Sequence, residues 1–351
     1  MRILHIIKNF DFGGAENHLC ELANSLDLIG NEIFIIGGSG RQKAKLNPTI
    51  IFIPLRLRSL LFLMNLLMIA CYVIHYRIQV IHAHQRYPIL LASIIGKITR
   101  VPVVSTVHGR SQYDLRHRIS RKYSSKIIFV SKFVLKASSR FPDIQDKVVF
   151  IPNGVSIAIK KPYNSSFRIS YISRMDSKHS SVIILFIQKV LPRLIKDYPM
   201  ITFNIVGSGY CLQEVKKEAL QLNQEFNREV CILSGFQSEV MAHIQESALI
   251  LGVGRVALEA LACGVPVLSV NKKHLGAMIS TKNYSWYKEN NFLAIANDPP
   301  NADSLYDLLH AYFANFSYWQ DETELLKKKV DEEFNSLKIA VRIESLYKEL
   351  I

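Results

Sequence analysis

GVGRVALEALACGVPVLSV, residues Gly252 to Val270, runs a glycine-rich turn into a helix carrying Glu259, then breaks at Cys263-Gly264-Val265-Pro266 into a strand. Gly252 and Gly254 would let backbone amides approach a phosphate or sugar at the helix start. Glu259, one to two turns in, can accept hydrogen bonds from paired ribose hydroxyls, although a solvated helix glutamate has the same spacing. A turn, helix and strand in so few residues is the repeating unit of a parallel sheet covered by helices.

That unit recurs in both directions. Arg168 to Ser173, Thr202 to Val206, Val230 to Ser234, Ala248 to Leu251, Pro266 to Val270 and Asn291 to Ala294 read as strands of one sheet. Upstream, Arg2 to Ile7, Glu32 to Ile36, Ile50 to Ile53, Val80 to Ala83, Val103 to Val107, Lys126 to Val130 and Val148 to Ile151 read as another. Helices begin near Ala15, Arg58, Pro88, Ser111 and Ser131. The fold class is therefore α/β, two doubly wound, Rossmann-like domains with a ligand cleft expected between their strand carboxyl ends. Pro152, Asn153, Gly154, Lys160, Lys161, Pro162 and Asn164 form a turn-rich seam, with the boundary near Tyr163. Residues 1–162 make the first domain, 163–336 the second, and 337–351 an amphipathic helix that could cross back to the first.

A chain of 351 residues exceeds one ordinary domain, and 49% hydrophobic with 21% charged residues excludes a disordered or collagen-like chain. Cys20, Cys71, Cys211, Cys231 and Cys263 lie far apart with no C-x-x-C pair, which suits a reducing cytoplasm. The net charge of +14 is unevenly spread: Met1 to Lys160 holds 22 basic and 8 acidic residues, Lys161 to Ile351 holds 21 of each. An anionic partner is expected for the first half. MRILHIIKNFDFGG does not read as a signal peptide, and Leu60 to Ile74, interrupted by Asn65 and bounded by Arg56, Arg58 and Arg77, is too short to span a bilayer. A buried or interface-lying helix fits it better.

Phe12, Gly13, Gly14, Ala15 and Glu16 follow the first strand and open a helix, an arrangement that suits an anion or simply a tight turn. Gly37-Gly38-Ser39-Gly40 and Gly207-Ser208-Gly209 also follow strands, but neither completes G-x-G-x-x-G, so a nicotinamide or flavin site is weakly indicated. Arg174 and Lys178, after the strand at Arg168, could hold a diphosphate and offset its charge as it departs; an ordinary salt bridge to Asp176 is the alternative. His82 and His84 share one strand face as metal ligands might, but no third ligand is spaced for them, and no metal is expected. No Asp-x-Asp occurs. The basic set Arg110, Arg116, Arg118, Arg121, Lys122, Lys126, Lys132, Lys136 and Arg140 lacks the aromatic interleaving of nucleic-acid binders. With the Leu60 helix it suggests a surface resting on anionic lipid, at about 1 kcal/mol per basic residue.

Nine segments in order, FGGAE, VIHAH, STVHG, IIFVSKFV, IPNGV, SYISRMD, FNIVGSG, LSGF and GVGRVALEALACGVPVL, resemble the family 4 retaining glycosyltransferases of the GT-B fold. The resemblance implies that Gly13 and Gly14 lie beside the donor diphosphate, that His108 sits by the transferred sugar, and that Arg174 with Lys178 binds the diphosphate. Asn153, Gly207, Gly209, Gly252, Gly254 and Arg255 join the donor site, with Glu259 on the ribose. In the family's usual spacing the lysine position falls on His179, one residue beyond Lys178. The first of two family glutamates falls on Leu251, which implies another contact geometry, another donor sugar or impaired activity.

The implied activity is metal-independent transfer of a hexose from a nucleoside diphosphate sugar, UDP-sugar favoured, to a glycan or lipid-linked precursor of a cell-surface polysaccharide. No further cofactor and no nucleic acid are expected, and the place is the cytoplasm, on the inner membrane face. A sugar-nucleotide epimerase using Asp176, or a catalytically degenerate binding subunit, are the alternatives.

Overall fold

The computed structural model describes residues 1–11, 13–109, 111–157, 167–295 and 298–351. Phe12, Arg110 and the seam from Lys160 to Asn164, with the expected boundary at Tyr163, lie outside them. The chain divides into two compact units: Met1–Ser156 with Glu333–Ile351, and Ile157–Glu332.

The first unit holds a parallel sheet of β1 (Arg2–Asn9), β2 (Glu32–Gly38), β3 (Ile51–Pro54), β4 (Val80–His84), β5 (Val103–Val107), β6 (Lys126–Phe129) and β7 (Val148–Phe150), in the order β3-β2-β1-β4-β5-β6-β7. The apolar runs of the inner strands β2, β4 and β5 are buried on both faces, as a sheet flanked by helices demands, while the edge strands β3 and β7 are only partly covered. Ile3 and Ile7 of β1 pack with α1 (Gly14–Leu28) and with the C-terminal helix Ser336–Lys348 through Leu19, Leu22, Ile339 and Ile343. Leu4 and Ile6, on the opposite face, pack with α2 (Phe62–His75) and α3 (Arg86–Thr99) through Ile69, Val73, Ile89 and Ile95. Each such side chain contributes about 1.5–3 kcal/mol by leaving water. The C-terminal helix is led in by paired backbone bonds, Val155 N–H to Phe334 O (2.7 Å) and Ser336 N–H to Val155 O (3.0 Å). Gly154 lies against Ser336, where a Cβ would crowd the helix backbone.

The second unit holds β8 (Arg168–Ile172), β9 (Thr202–Val206), β10 (Cys231–Gly235), β11 (Leu249–Gly252), β12 (Val267–Val270) and β13 (Leu275–Met278), in the order β10-β9-β8-β11-β12-β13. The last strand is antiparallel and corrects the sequence reading, which put a strand at Asn291–Ala294. Asn291 and Phe292 both have left-handed backbone (φ 54° and 56°), so the run cannot extend, and Leu275–Met278 takes the sheet edge. In both units a chain reversal in strand order, β1 to β4 and β8 to β11, opens the carboxyl edge where ligands of such sheets bind.

Candidate active site

In the first unit the candidate residues gather at the carboxyl ends of β1, β4 and β5. Gly13 caps α1 in an extended conformation, and the Glu16 carboxylate folds back against it, so that a Cβ there would push that side chain aside. Gly14 has open space on its Cβ side. Glu16 Oε1 accepts from Gln85 Nε2 (2.7 Å), and Gln85 Oε1 accepts from Lys8 N–H (3.3 Å). Gln85 thereby ties the end of β1 to the start of α1, and it does so at φ 70°, a strained setting for a residue with a side chain. Neither Glu16 nor Gln85 was assigned a role from sequence, because only the fold reveals that they meet.

His108 follows β5 on a turn whose backbone N–H groups at His108 and Gly109 are accepted by the Asp114 carboxylate. Burial raises the Asp114 carboxyl above its ordinary range, against those same bonds. His108 is half-buried, and its Nε2 meets His84 Nδ1 at 3.1 Å. His84 Nε2 in turn meets His5 Nδ1 at 3.3 Å. His82, on the same face of β4, is held separately by Tyr347 Oη on Nδ1 (2.5 Å) and Thr106 Oγ1 on Nε2 (2.6 Å). His18 of α1 packs edge-on to His108 with ring centroids 5.0 Å apart. Desolvation holds every resolved member neutral: His108 is lowered to about 4, His5 to about 3, and His82 and His84 well below the usual 6.5.

The spacing of His82 and His84 suggested no third metal ligand, yet the fold supplies one. His5, His82 and His84, and likewise His18, His84 and His108, bring nitrogens within 4.8 Å of one another. Both nitrogens of His82 are occupied by hydroxyls and both of His84 by imidazoles, so an ion would have to displace existing hydrogen bonds. Asn153 lies in the same unit, after β7, half-buried with an Oδ1 that has no partner.

In the second unit Arg174 and Lys178 are exposed beyond β8 and, among the described residues, neither pairs with a carboxylate. The alternative, an Arg174–Asp176 salt bridge, is absent: Asp176 caps the helix Ser177–Leu185. Its Oδ1 accepts from Lys178 N–H (2.9 Å), His179 N–H (3.2 Å) and His179 Nδ1 (2.7 Å). His179 is thus engaged and Lys178 is not. Lys272 was missed in sequence; its Nζ lies 3.5 Å from Ser177 O, which brings a third cation to the same helix start. Gly207 and Gly209 stack on the Ser173–Met175 turn, with Met175 N–H donating to Ser208 O (2.9 Å). A Cβ on Gly207 would overlap Ser173 O, so the glycine serves close backbone approach.

On the neighbouring strand β11, Leu251 is fully buried in the core and Gly252 ends the strand. Gly254 caps the helix Arg255–Ala262 at φ 66°, ψ −131°, a conformation open only to glycine, while its N–H donates to Phe292 O (2.8 Å). Arg255, offered by the sequence for the donor site, donates from Nε to Glu259 Oε1 at 2.7 Å. Glu259 is buried (8% exposed) beneath that bond and is no solvated helix residue.

Residues 12–158 match a family model described as Glycosyltransferase Family 4, and residues 166–310 one described as Glycosyl transferases group 1. An uncharacterized glycosyltransferase of Methanocaldococcus jannaschii is 23% identical over 292 residues, which cover 78% of this chain and 76% of that one. The crystal structure of Anabaena HepE in complex with UDP and glucose matches with a TM-score of 0.75 at 18% identity over 99% of each chain. A glycosyltransferase from Rickettsia africae matches with 0.74 at 20% identity over 99% of this chain and 98% of that one. At such identities the structural likeness speaks for the fold, and the two family models, one on each half, speak for the family. The chain belongs to the family 4 glycosyltransferases, built on the GT-B fold.

Proposed function

We propose that this glycosyltransferase moves a hexose from UDP-hexose to a hydroxyl of a lipid-linked glycan precursor, with retention at the anomeric carbon. The observation that carries the reading is the exposed cation group beyond β8, Arg174 and Lys178 with Lys272 beside them, at the capped start of a helix. Such a group stabilises negative charge that grows on a departing diphosphate. Similar folds have been solved with UDP and with UDP-glucose, which favours uracil as the base. Lys178 takes the lysine role because Asp176 holds His179.

In the reaction the bond from the anomeric carbon to the diphosphate oxygen breaks and the acceptor oxygen bonds to that carbon from the same face. The acceptor proton passes to the departing phosphate. Arg174 and Lys178 hold that phosphate, the buried Glu259 orients the ribose, and neutral His108 hydrogen-bonds the sugar. No bound metal is assigned a step. The epimerase alternative needs Asp176 as a catalytic carboxylate, a role that competes with its helix cap, where Oδ1 accepts from three donors.

The acceptor side is assigned to the basic first unit. Leu60, Leu63, Leu67 and Ile74 are 96%, 73%, 70% and 69% exposed along the outer face of α2 and its lead-in, with Arg56, Arg58 and Arg77 exposed around them. No helix among the described residues is long and apolar enough to cross a membrane. This stripe is suited to lie in the headgroup region of an anionic cytoplasmic leaflet. Arg121 leaves the expected basic surface: it pairs with Asp143 (2.9 Å) and lies over Phe141.

A thermal-shift panel of UDP, GDP, ADP and CMP, followed by release of UDP from UDP-hexoses with and without a lipid-linked acceptor, tests the reading. A selective rise with UDP and acceptor-dependent release are expected. Donor binding without turnover over a broad acceptor panel would instead favour the degenerate binding subunit, the reading that buried Leu251 motivates.

A further inference from the structure

His5, His84 and His108 form a single file of imidazoles that runs from the middle of β1 to the end of β4 and the turn after β5, joined at 3.3 and 3.1 Å. Three neutral imidazoles carry three protons, and two N–H···N bonds in series require every N–H to point the same way. The file therefore has two states. In one, His5 Nδ1–H donates to His84 Nε2, His84 Nδ1–H donates to His108 Nε2, and His108 carries its proton on Nδ1. In the other the order reverses, His108 donates from Nε2 to His84, and Nδ1 is a bare acceptor. Desolvation keeps all three rings uncharged near neutral pH, so no third, protonated state competes.

The far end of the file decides between them. His5 Nε2 and His108 Nδ1 are both buried without a partner. At His108 a sugar hydroxyl can satisfy either a donor or an acceptor, because a hydroxyl is both. At His5, fully buried, the reversed state strands an N–H and the forward state strands only a lone pair; orphaned buried N–H groups are the rarer of the two. His82 does not interfere, since Tyr347 and Thr106 occupy both its nitrogens.

We infer that His84 is a positioning residue that fixes the tautomer of His108, so that Nδ1–H is presented as a hydrogen-bond donor to an oxygen of the transferred sugar. Asp114 fixes the backbone of the same residue through the His108 and Gly109 N–H groups. The placement of the sugar rests on the transferase reading above; the tautomer does not.

The test is long-range proton–nitrogen correlation on the full chain labelled with 15N-histidine, with His108 assigned by the signal lost in His108→Gln. In the wild-type chain His108 is expected to show a protonated Nδ1 and a bare Nε2, and in His84→Phe an averaged pair. His84→Gln, whose amide can donate to Nε2, should restore the wild-type pattern. In turnover assays His84→Phe should lower kcat about tenfold, the scale of one lost hydrogen bond, with donor KM within about twofold. A wild-type His108 protonated on Nε2, or a tautomer that neither variant moves, would overturn the inference. If His84→Phe does not fold, His84→Leu, which also removes the donor to Nε2, takes its place, and a wild-type His108 protonated on Nε2 still overturns the inference. If no sugar is transferred but the tautomer follows His84, the transferase reading fails and this one stands.

Discussion

Toward the carboxyl edge of the first sheet, five histidines from β1, β4, α1 and the turn after β5 pack with ring centroids 4.4 to 5.9 Å apart, whereas at the corresponding edge of the second, Arg174, Lys178 and Lys272 leave their charges exposed around a helix start. The same architecture has been furnished in opposite ways. Buried imidazoles cannot afford a proton, so the first edge offers directional hydrogen bonds and no charge, which suits hydroxyls. Solvated cations keep their charge, which suits a diphosphate. Under the proposed reading, sugar recognition falls to the first edge and leaving-group stabilisation to the second.

Acid should separate the two units most strongly. His5 and His108 are depressed from 6.5 to about 3 and about 4, so their contribution is complete above pH 6.5. As pH falls from there toward those folded values, the unfolded chain binds protons that the native chain refuses. Stability is then lost at about 1 kcal/mol per pH unit for each histidine. His82 and His84 add in the same direction. Hydrogen exchange at pH 7 and pH 5 should show protection falling in β1, β4 and β5 while β8, β9 and β11 keep theirs. Equal loss in both sheets would mean that the histidines are not what distinguishes them.

Arg174→Ala attacks the other edge. Loss of a cation that stabilises developing charge should lower kcat by about a hundredfold or more, with the melting temperature unchanged because Arg174 is exposed. Turnover that survives intact would move the leaving-group site elsewhere. Lys272→Ala should follow with a smaller loss, since its Nζ reaches the helix start only at 3.5 Å.

Glu259→Gln sharpens the assignment within the second unit. The bond from Arg255 Nε at 2.7 Å can survive on the amide oxygen, while the carboxylate charge for the ribose is gone. UDP affinity measured by calorimetry should fall about tenfold with little change in kcat, in line with a charge-assisted hydrogen bond. A lower melting temperature with unaltered UDP affinity would make Glu259 the helix partner of Arg255 and nothing more.

The pattern of apolar runs and glycine turns was enough to read most strands of both sheets, because strands buried on both faces leave continuous apolar stretches such as Ile33 to Ile36. It failed at Asn291–Ala294, where two left-handed residues bend a run that composition alone would extend. Within the site, the glycine at 254 has a conformational reason, a φ of 66°, whereas the contact of half-buried Arg255 with buried Glu259 was not legible, because helical spacing alone does not say that the two pair. His5 and Gln85 carried no signal at all. Their meaning arises from strand order, which sets β1 beside β4 and so brings residues nearly 80 positions apart into hydrogen-bonding distance.

The smallest effect on catalysis is expected from the outer face of α2. Leu63→Asp and Leu67→Asp alter side chains that are 73% and 70% exposed while Ile69 and Val73 keep the helix on its core, so turnover with a soluble acceptor analogue should stay within about twofold. Binding to vesicles should change where turnover does not. Co-sedimentation with phosphatidylglycerol vesicles should fall about fivefold per substitution, the scale of losing roughly 1 kcal/mol of partial apolar burial, and should weaken with salt because Arg56, Arg58 and Arg77 contribute. Equal, salt-insensitive recovery of the unaltered chain in the supernatants of anionic and neutral vesicles would remove the membrane from the picture. The basic excess of the first unit would then belong to the acceptor itself, and the contrast between a neutral histidine edge and a positively charged exterior would have to be explained by an anionic acceptor approaching over that surface.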